Sequence, residues 1–396
     1  MLPVKVYLFD TENSHENLLP LSFTRPVAAF RCGILPIKEK WEKVLCAQCE
    51  YLPVDYLQQR FGKVEDPEEV ALFIAGNHLP DDSLIEFVKT LQQGEALVSE
   101  NEPIAYLGTY KDFEKKEWKE KEYDGEFVSI NYVFDIFLLN YKEIQRDFEL
   151  LTKGRNSRDI PKCTKIFPEE DGLSKGRIFV EEGAIVECAS INVKDGPVYI
   201  GKDAVLMEGA CVRGPLALCE GAEVRMGTKI YGGTTIGPHC KVGGEIDNSV
   251  LFGYSNKAHE GYLGNAVIGE WCNIGAGVNA SNLKNDYSMI RVWNYKTHSF
   301  MKTDLQFCGL IMGDHSKIGV NCMINTATVM GVGVNIHGSG FPRTYIPNFH
   351  EGSPVSGFTK ISFDKFGEVV ERVMARREII PSHIGRNVFE HIYLKG

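Results

Sequence analysis

The stretch NKAHEGYLGN (256–265) sets a titratable imidazole, His259, beside the Glu260 carboxylate and ahead of Tyr262, among glycines. A free imidazole titrates at about 6.5, so near neutral pH it can take a proton from a nucleophile and later return it. A second set of able groups, Arg25, Arg31 and Lys38, falls within LLPLSFTRPVAAFRCGILPIKEKWE (18–42). Cations grouped in this way suit phosphate oxygens. Cys46 and Cys49 form one CxxC without a second pair, and the other cysteines of the 11 are scattered. Reduced thiols are expected there, not a zinc or disulfide framework. His383 and His391 have no partner pattern and read as structural or solvent-facing.

The element that must carry His259 is a repeat. From Ile200 an apolar residue recurs at every sixth position, through Leu206, Val212, Leu218, Val224, Ile230 and Ile236 to Val242. The register slips and resumes at Tyr262, Ile268 and Ile274, then again from Met312 through Ile318, Ile324 and Met330 to Ile336. The next residue is often Gly, as at Gly201, Gly237, Gly243 and Gly269. A period of six is neither the helical nor the simple strand period. It fits a triangular parallel β-helix, whose coils have three short sides, each with one residue pointing inward before a tight corner. Such coils bury their inner side chains only against one another, so many are needed. The slips mark loops that leave the coils, and the polar stretch between Ala280 and Gly309 is the longest. Because Tyr262 lies on the apolar register, packing and binding are both open for it. His259 sits at the end of the first interruption, where a side chain can be aimed outward.

At 396 residues the chain is long enough for two domains, or for one domain and a repeat array. Its net charge of -10 argues against a nucleic-acid partner, which would require a basic stripe. The start, MLPVKVYLFD, lacks the charged and then apolar pattern of a secretion signal. No stretch approaches the ~20 apolar residues of a membrane span, so a cytoplasmic protein with no membrane partner is expected.

The N-terminal part has another grammar. VKVYLFD (4–10) and VALFIAGN (70–77) read as buried strands of a parallel sheet. Helical patterns cover 34–46, 83–92 and 132–151. This is an open α/β sheet, and ligands on such sheets bind beyond the carboxyl ends of the strands, here after Asp10 and after Ala75. Domains are expected at 1–160 (α/β), 178–342 (β-helix) and 343–396 (tail), with a linker at 161–177. Within the tail, DKFGEVVERVMARREI (364–379) has an amphipathic helical pattern suited to capping or to a subunit contact.

Hexapeptide β-helices mark a large acyltransferase family. Within it, KAHEGYLGNAVIGEWCNIGAG (257–277) resembles the acetyltransferase half of the GlmU-like bifunctional family, which makes UDP-N-acetylglucosamine. That family carries K-x-x-H-x-x-Y-L-G-D and then I-G-x-x-x-N-I-G-A-G. The spacing from His259 through Tyr262 and Gly264 to Asn273 and Gly277 is kept, while Asn265 stands where the family has Asp. The resemblance implies a left-handed parallel β-helix and transfer of an acetyl group from acetyl-CoA to an amino-sugar phosphate. His259 would be the general base. Arg225, with Arg213 as competitor, Tyr262 and Asn273 would bind the substrate, and Lys302 the coenzyme. It also implies a homotrimer.

The stretch 18–42 resembles the signature of sugar-phosphate nucleotidyltransferases, with Pro20-Leu21-Ser22 and Pro26 in place. The resemblance implies nucleotidyl transfer from a nucleoside triphosphate to a sugar 1-phosphate, with Mg²⁺ if the domain is active, and Arg25, Arg31, Lys38 and Asn77 at the nucleotide. The sequence departs from the pattern. TENSHEN (11–17) stands where the Gly-rich phosphate loop belongs, and Asn77 stands where the family has its metal-binding Asp. No residue is therefore assigned as a metal ligand. A domain that binds a sugar nucleotide without catalysis, or a β-helix that only oligomerises, is the alternative.

Overall fold

A computed structural model describes residues 5–100, 102–168 and 176–395. The chain divides into two compact units: Met1–Phe30 with Leu35–Asp135, and Arg31–Ile34 with Ile136–Gly396. The division thus falls at 135, not at the expected 160. Of the expected linker at 161–177, residues 169–175 lie outside the described residues.

The first unit is a six-stranded sheet flanked by helices. Its strands are β1 (Lys5–Phe9), β2 (Cys49–Leu52), β3 (Val70–Ala75), β5 (Glu95–Ser99), β6 (Glu102–Thr109) and β7 (Lys119–Glu122), in the order β2-β1-β3-β6-β5-β7. A short strand, β4 (His78–Leu79), pairs separately with 128–129. The continuous apolar run of β1 is buried on both faces, as a central parallel strand requires. β1 pairs in parallel with β2 and β3, whereas β6 runs antiparallel to β3 and β5, so the sheet is mixed. The helices are α1 (Glu12–Asn17), α2 (Ile37–Leu45), α3 (Asp55–Phe61), α4 (Asp82–Lys89) and α5 (Tyr110–Lys115). α4 shows why they form. Asp81 caps it by accepting from the Leu84 amide at 2.9 Å, and Leu84, Ile85 and Val88 supply one buried stripe.

In the second unit the coils stack into a three-sided, left-handed parallel β-helix. Among the described residues one face has nine strands, the second ten, the last of them (Gly357–Lys360) antiparallel, and the third eight. The six-residue register becomes columns of inward side chains. The first face carries Ile200, Leu218, Ile236, Leu251, Ile268 and Met312, the second Leu206, Val224 and Val242, and the third Val212, Ile230, Ile246 and Leu263. These residues are essentially inaccessible and form one continuous core. The array exceeds the expected 178–342: Lys165–Phe167 already pairs with Ser190–Asn192, and Tyr345–Ile346 and His350–Ser353 extend two faces.

One reading of the repeat is corrected. The inner position is held by Leu263, not Tyr262, which faces outward; the six-residue spacing reaches it from Lys257 on the second face, a position that an apolar pattern cannot reveal. The long insertion forms a two-stranded hairpin, Arg291–Asn294 with Ser299–Lys302, outside the coils.

Helix α6 (Asp135–Thr152) covers the first face, where Ile144 and Phe148 pack on Phe179, Tyr199 and Ala217. Asn140 fixes it there, its amide donating to the Gly233 carbonyl at 2.7 Å and its oxygen accepting from the Gly33 amide at 2.6 Å. The chain ends in α7 (Phe363–Ala375) and α8 (His383–Lys395). Ser362 caps α7, and Phe366 and Phe389 pack edge-on against the His315 ring. Among the described residues no helix is long and apolar enough to cross a membrane.

Candidate active site

His259 occupies the corner between the second and third faces and is exposed. Beside it opens a cleft of about 670 Å³. The register dictates its floor. Outward side chains of successive coils on the second face stand one above another: Glu223, Lys241, Asn256, Asn273 and Lys317. On one side of this ladder lies the corner that carries His259, Gly275 and Ala276. On the other is a column of rings at the corner between the first and second faces. There His239, Tyr254 and Trp271 follow one another, with Tyr254 and Trp271 face to face at 4.3 Å. The end of α7 closes the cleft with Val373, Arg376 and Arg377.

The cleft is strongly cationic. Glu223 is shared by Arg225 at 2.6 Å and Lys241 at 2.7 Å. The Lys317 ammonium donates to the Trp271 and His315 carbonyls, both at 2.9 Å, and burial lowers its pKa to about 8. Arg377 donates to the His239 carbonyl at 3.1 Å and the Asn256 side chain at 3.2 Å. Such a surface, with aromatic walls and an imidazole at its rim, can hold a phosphate-bearing ligand and move a proton.

The residues singled out from sequence separate into groups. His259, Arg225 and Asn273 meet in this cleft. Arg213 is ion-paired with Asp195 at 3.8 Å and lines a different, smaller cavity. Tyr262 lies on the third face, its hydroxyl accepting from Asn282 at 2.9 Å while burial pushes its pKa up to about 12. Lys302 ends the hairpin and does not line the cleft. Sequence reasoning missed Lys241, Lys317, Arg376 and Arg377. The first two could have been found by following the outward positions from coil to coil. The arginines could not, because they directly follow a terminal helix whose pattern suits a cap or subunit contact.

In the first unit the groups singled out from sequence are buried or hold local partners. Asp10, at the end of β1, accepts from the Val27 amide at 3.0 Å with one oxygen; the other is buried without a hydrogen-bond partner, 4.0 Å from His15 Nδ1. Burial raises the Asp10 pKa to about 7 and lowers that of His15 to about 4. Arg25 is buried. Asn77 donates to the Asn131 side chain at 3.2 Å. Lys38 is ion-paired with Glu42 at 2.6 Å. Arg31 belongs to the second unit, where its guanidinium meets the Ile34 carbonyl and the Cys219 sulfur, so it serves packing on the first face. The donors do not fit a resident Mg²⁺: Asn77 is neutral and already engaged, and no group of three candidate ligands occurs among the described residues.

Comparisons with known proteins bear on both units. Residues 6–156 match the family model described as sugar nucleotidyl transferase. The bifunctional protein GlmU of Methanocaldococcus jannaschii is 32% identical over 152 residues, covering 38% of this chain and 32% of the relative. That of Methanococcus aeolicus is 30% identical over 119 residues, covering 26% and 28%. The chain thus spans about a third or less of these relatives' length. Among solved structures, LpxA of Bacteroides fragilis, a UDP-N-acetylglucosamine acyltransferase, matches 59% of this chain and 96% of its own at 15% identity and a TM-score of 0.23. The polySia-specific acetyltransferase NeuO matches 48% and 87% at 12% identity and a TM-score of 0.25. Residues 6–156 are thus similar to the sugar nucleotidyl transferase family, and part of the chain is similar to the bifunctional GlmU proteins.

Proposed function

We propose that the chain is a transferase of sugar-nucleotide synthesis whose β-helix acetylates an amino-sugar phosphate with acetyl-CoA. The observation that carries this reading is the exposed His259 imidazole at the rim of the cationic cleft. An ammonium is not nucleophilic, so the acceptor amine must lose a proton as it attacks the thioester carbonyl; His259 takes that proton, and the coenzyme leaves as its thiol. No covalent enzyme intermediate is required. Arg225, Lys241, Lys317, Arg376 and Arg377 all line the cleft and suit the phosphates of the sugar and of the coenzyme. Asn273 stands among these side chains, with an amide for the acyl oxygen or a sugar hydroxyl.

The test is thiol release from acetyl-CoA with glucosamine 1-phosphate, comparing the parent chain with His259→Ala. Equal rates would remove His259 from the mechanism. Tyr262 and Lys302 lie off the cleft within one chain, so their assigned roles require approach of a second copy. The homotrimer and cytoplasmic location belong to the same reading, and light scattering reporting one chain's mass would break the trimer.

For the first unit, the similarity of residues 6–156 to the sugar nucleotidyl transferase family supports nucleotidyl transfer to a sugar 1-phosphate. The engaged, neutral Asn77 favours a second reading, a domain that binds a sugar nucleotide without transferring it. Pyrophosphate release with nucleoside triphosphates and sugar 1-phosphates, with Mg²⁺ added, separates the two.

A further inference from the structure

One inward position of the prism is not filled as its neighbours are. On the second face the inner column runs Leu206, Val224, Val242, Lys257, Ile274 and Ile318. Lys257 is 1% exposed. Its ammonium donates to the Gly243 carbonyl at 3.1 Å and to the carbonyl of His259.

Those acceptors belong to one local device. His259 lies on the corner that leaves the second face, and the Gly243-Gly244 corner of the preceding coil lies directly against it. A Cβ on Gly243 would stand 2.4 Å from the Ala258 carbonyl oxygen, and one on Gly244 would stand 2.9 Å from that of His259. The two glycines let the corners touch, and the lysine fastens them from inside. Burial disfavours its charge and lowers its pKa to about 8. An aliphatic side chain would continue the column without a buried charge, but it would leave the Gly243 and His259 carbonyls without this donor. What leucine or methionine could not supply is the bond to the His259 carbonyl.

We propose that Lys257 is the positioning residue for His259: from inside the prism its ammonium holds the His259 carbonyl against the Gly243-Gly244 corner, so that the imidazole is presented to the cleft. It touches no substrate and acts only through His259. The inference deepens the acetyl-transfer reading and rests on it.

The test compares full-length Lys257→Met with His259→Ala and the parent chain. Lys257→Met should stay folded at the assay temperature. Its kcat for acetyl transfer should fall tenfold or more while KM for acetyl-CoA stays within twofold. A purely structural lysine would leave the kcat of the folded fraction unchanged. If Lys257→Met keeps the parent kcat while His259→Ala is inactive, the proposal is overturned and acetyl transfer stands. If His259→Ala keeps the full rate, His259 is not the base, although acetyl transfer stands. The positioning claim is then read from the His259 ring resonances in ¹³C-histidine-labelled protein: a shift in Lys257→Met supports it and an unmoved signal overturns it. If neither Lys257→Met nor Lys257→Leu folds, the lysine is scaffold and the proposal is overturned.

Discussion

The two units treat sequence spacing differently. In the β-helix, residues about one coil apart become neighbours, so Lys241, Asn256, Asn273 and Lys317 form a ladder without any loop having to aim them. In the N-terminal unit, Arg25, Lys38 and Asn77 come from unrelated places, Lys38 from within α2, and each is buried or engaged locally. A repeat therefore turns a motif into a site almost by arithmetic, whereas an open sheet needs its phosphate loop, and TENSHEN does not supply a glycine-rich one.

The sharpest way to break this contrast is His259→Ala. Acetyl transfer should fall about 10²–10⁴-fold while nucleotide binding by the other unit, measured by calorimetry, is unchanged. Next, Arg376→Ala with Arg377→Ala should raise KM for acetyl-CoA roughly tenfold to a hundredfold, and the penalty should shrink as salt is added, since charge-assisted bonds are being lost. An unchanged KM would confine α7 to capping.

Core architecture gives a smaller, structural comparison. Ile236 is fully buried in one coil but packs against the next, so Ile236→Ala should cost about 2–5 kcal/mol of β-helix stability. Denaturation followed through Trp271 or Trp293 checks this.

The smallest effect is one of pH. Asp10 has a folded pKa of about 7 against 3.8 for the free side chain. Between those values the folded form holds a proton that the unfolded chain has lost, so this group makes stability fall as pH rises. His15 and His78, lowered by burial from 6.5 to about 4, act oppositely, because there the unfolded chain holds the extra proton and stability rises with pH. Asp10→Asn removes only the first contribution. The variant should exceed the parent by on the order of 1–3 kcal/mol at pH 8 and rise more steeply in stability between pH 4 and 6.5. Parallel curves in urea unfolding followed at Trp41 would show that Asp10 does not titrate as described.

Much of this was legible beforehand, for a physical reason. An inward aliphatic every sixth residue is a strong signal, because each coil can be buried only by its neighbours. The signal failed where the spacing between inner positions shortens, from Val242 to Ile246 to Leu251, and where Lys257 takes an inner place; Tyr262 was then read one residue out of register. His259 was legible from its fixed spacing, but the lysine behind it was not. Nor was Arg31, whose charge suggested a ligand until its place against the first face was known.

The ring column at the cleft wall has a practical consequence. Trp271 lies flat on Tyr254 at 4.3 Å and borders the space proposed for the coenzyme. Of the four tryptophans it alone lines that space, so its emission is a label-free optical gauge of occupancy. Titrating acetyl-CoA while watching that fluorescence would reveal binding before any turnover assay exists, and Trp271→Phe would silence the gauge while keeping an aromatic surface in place.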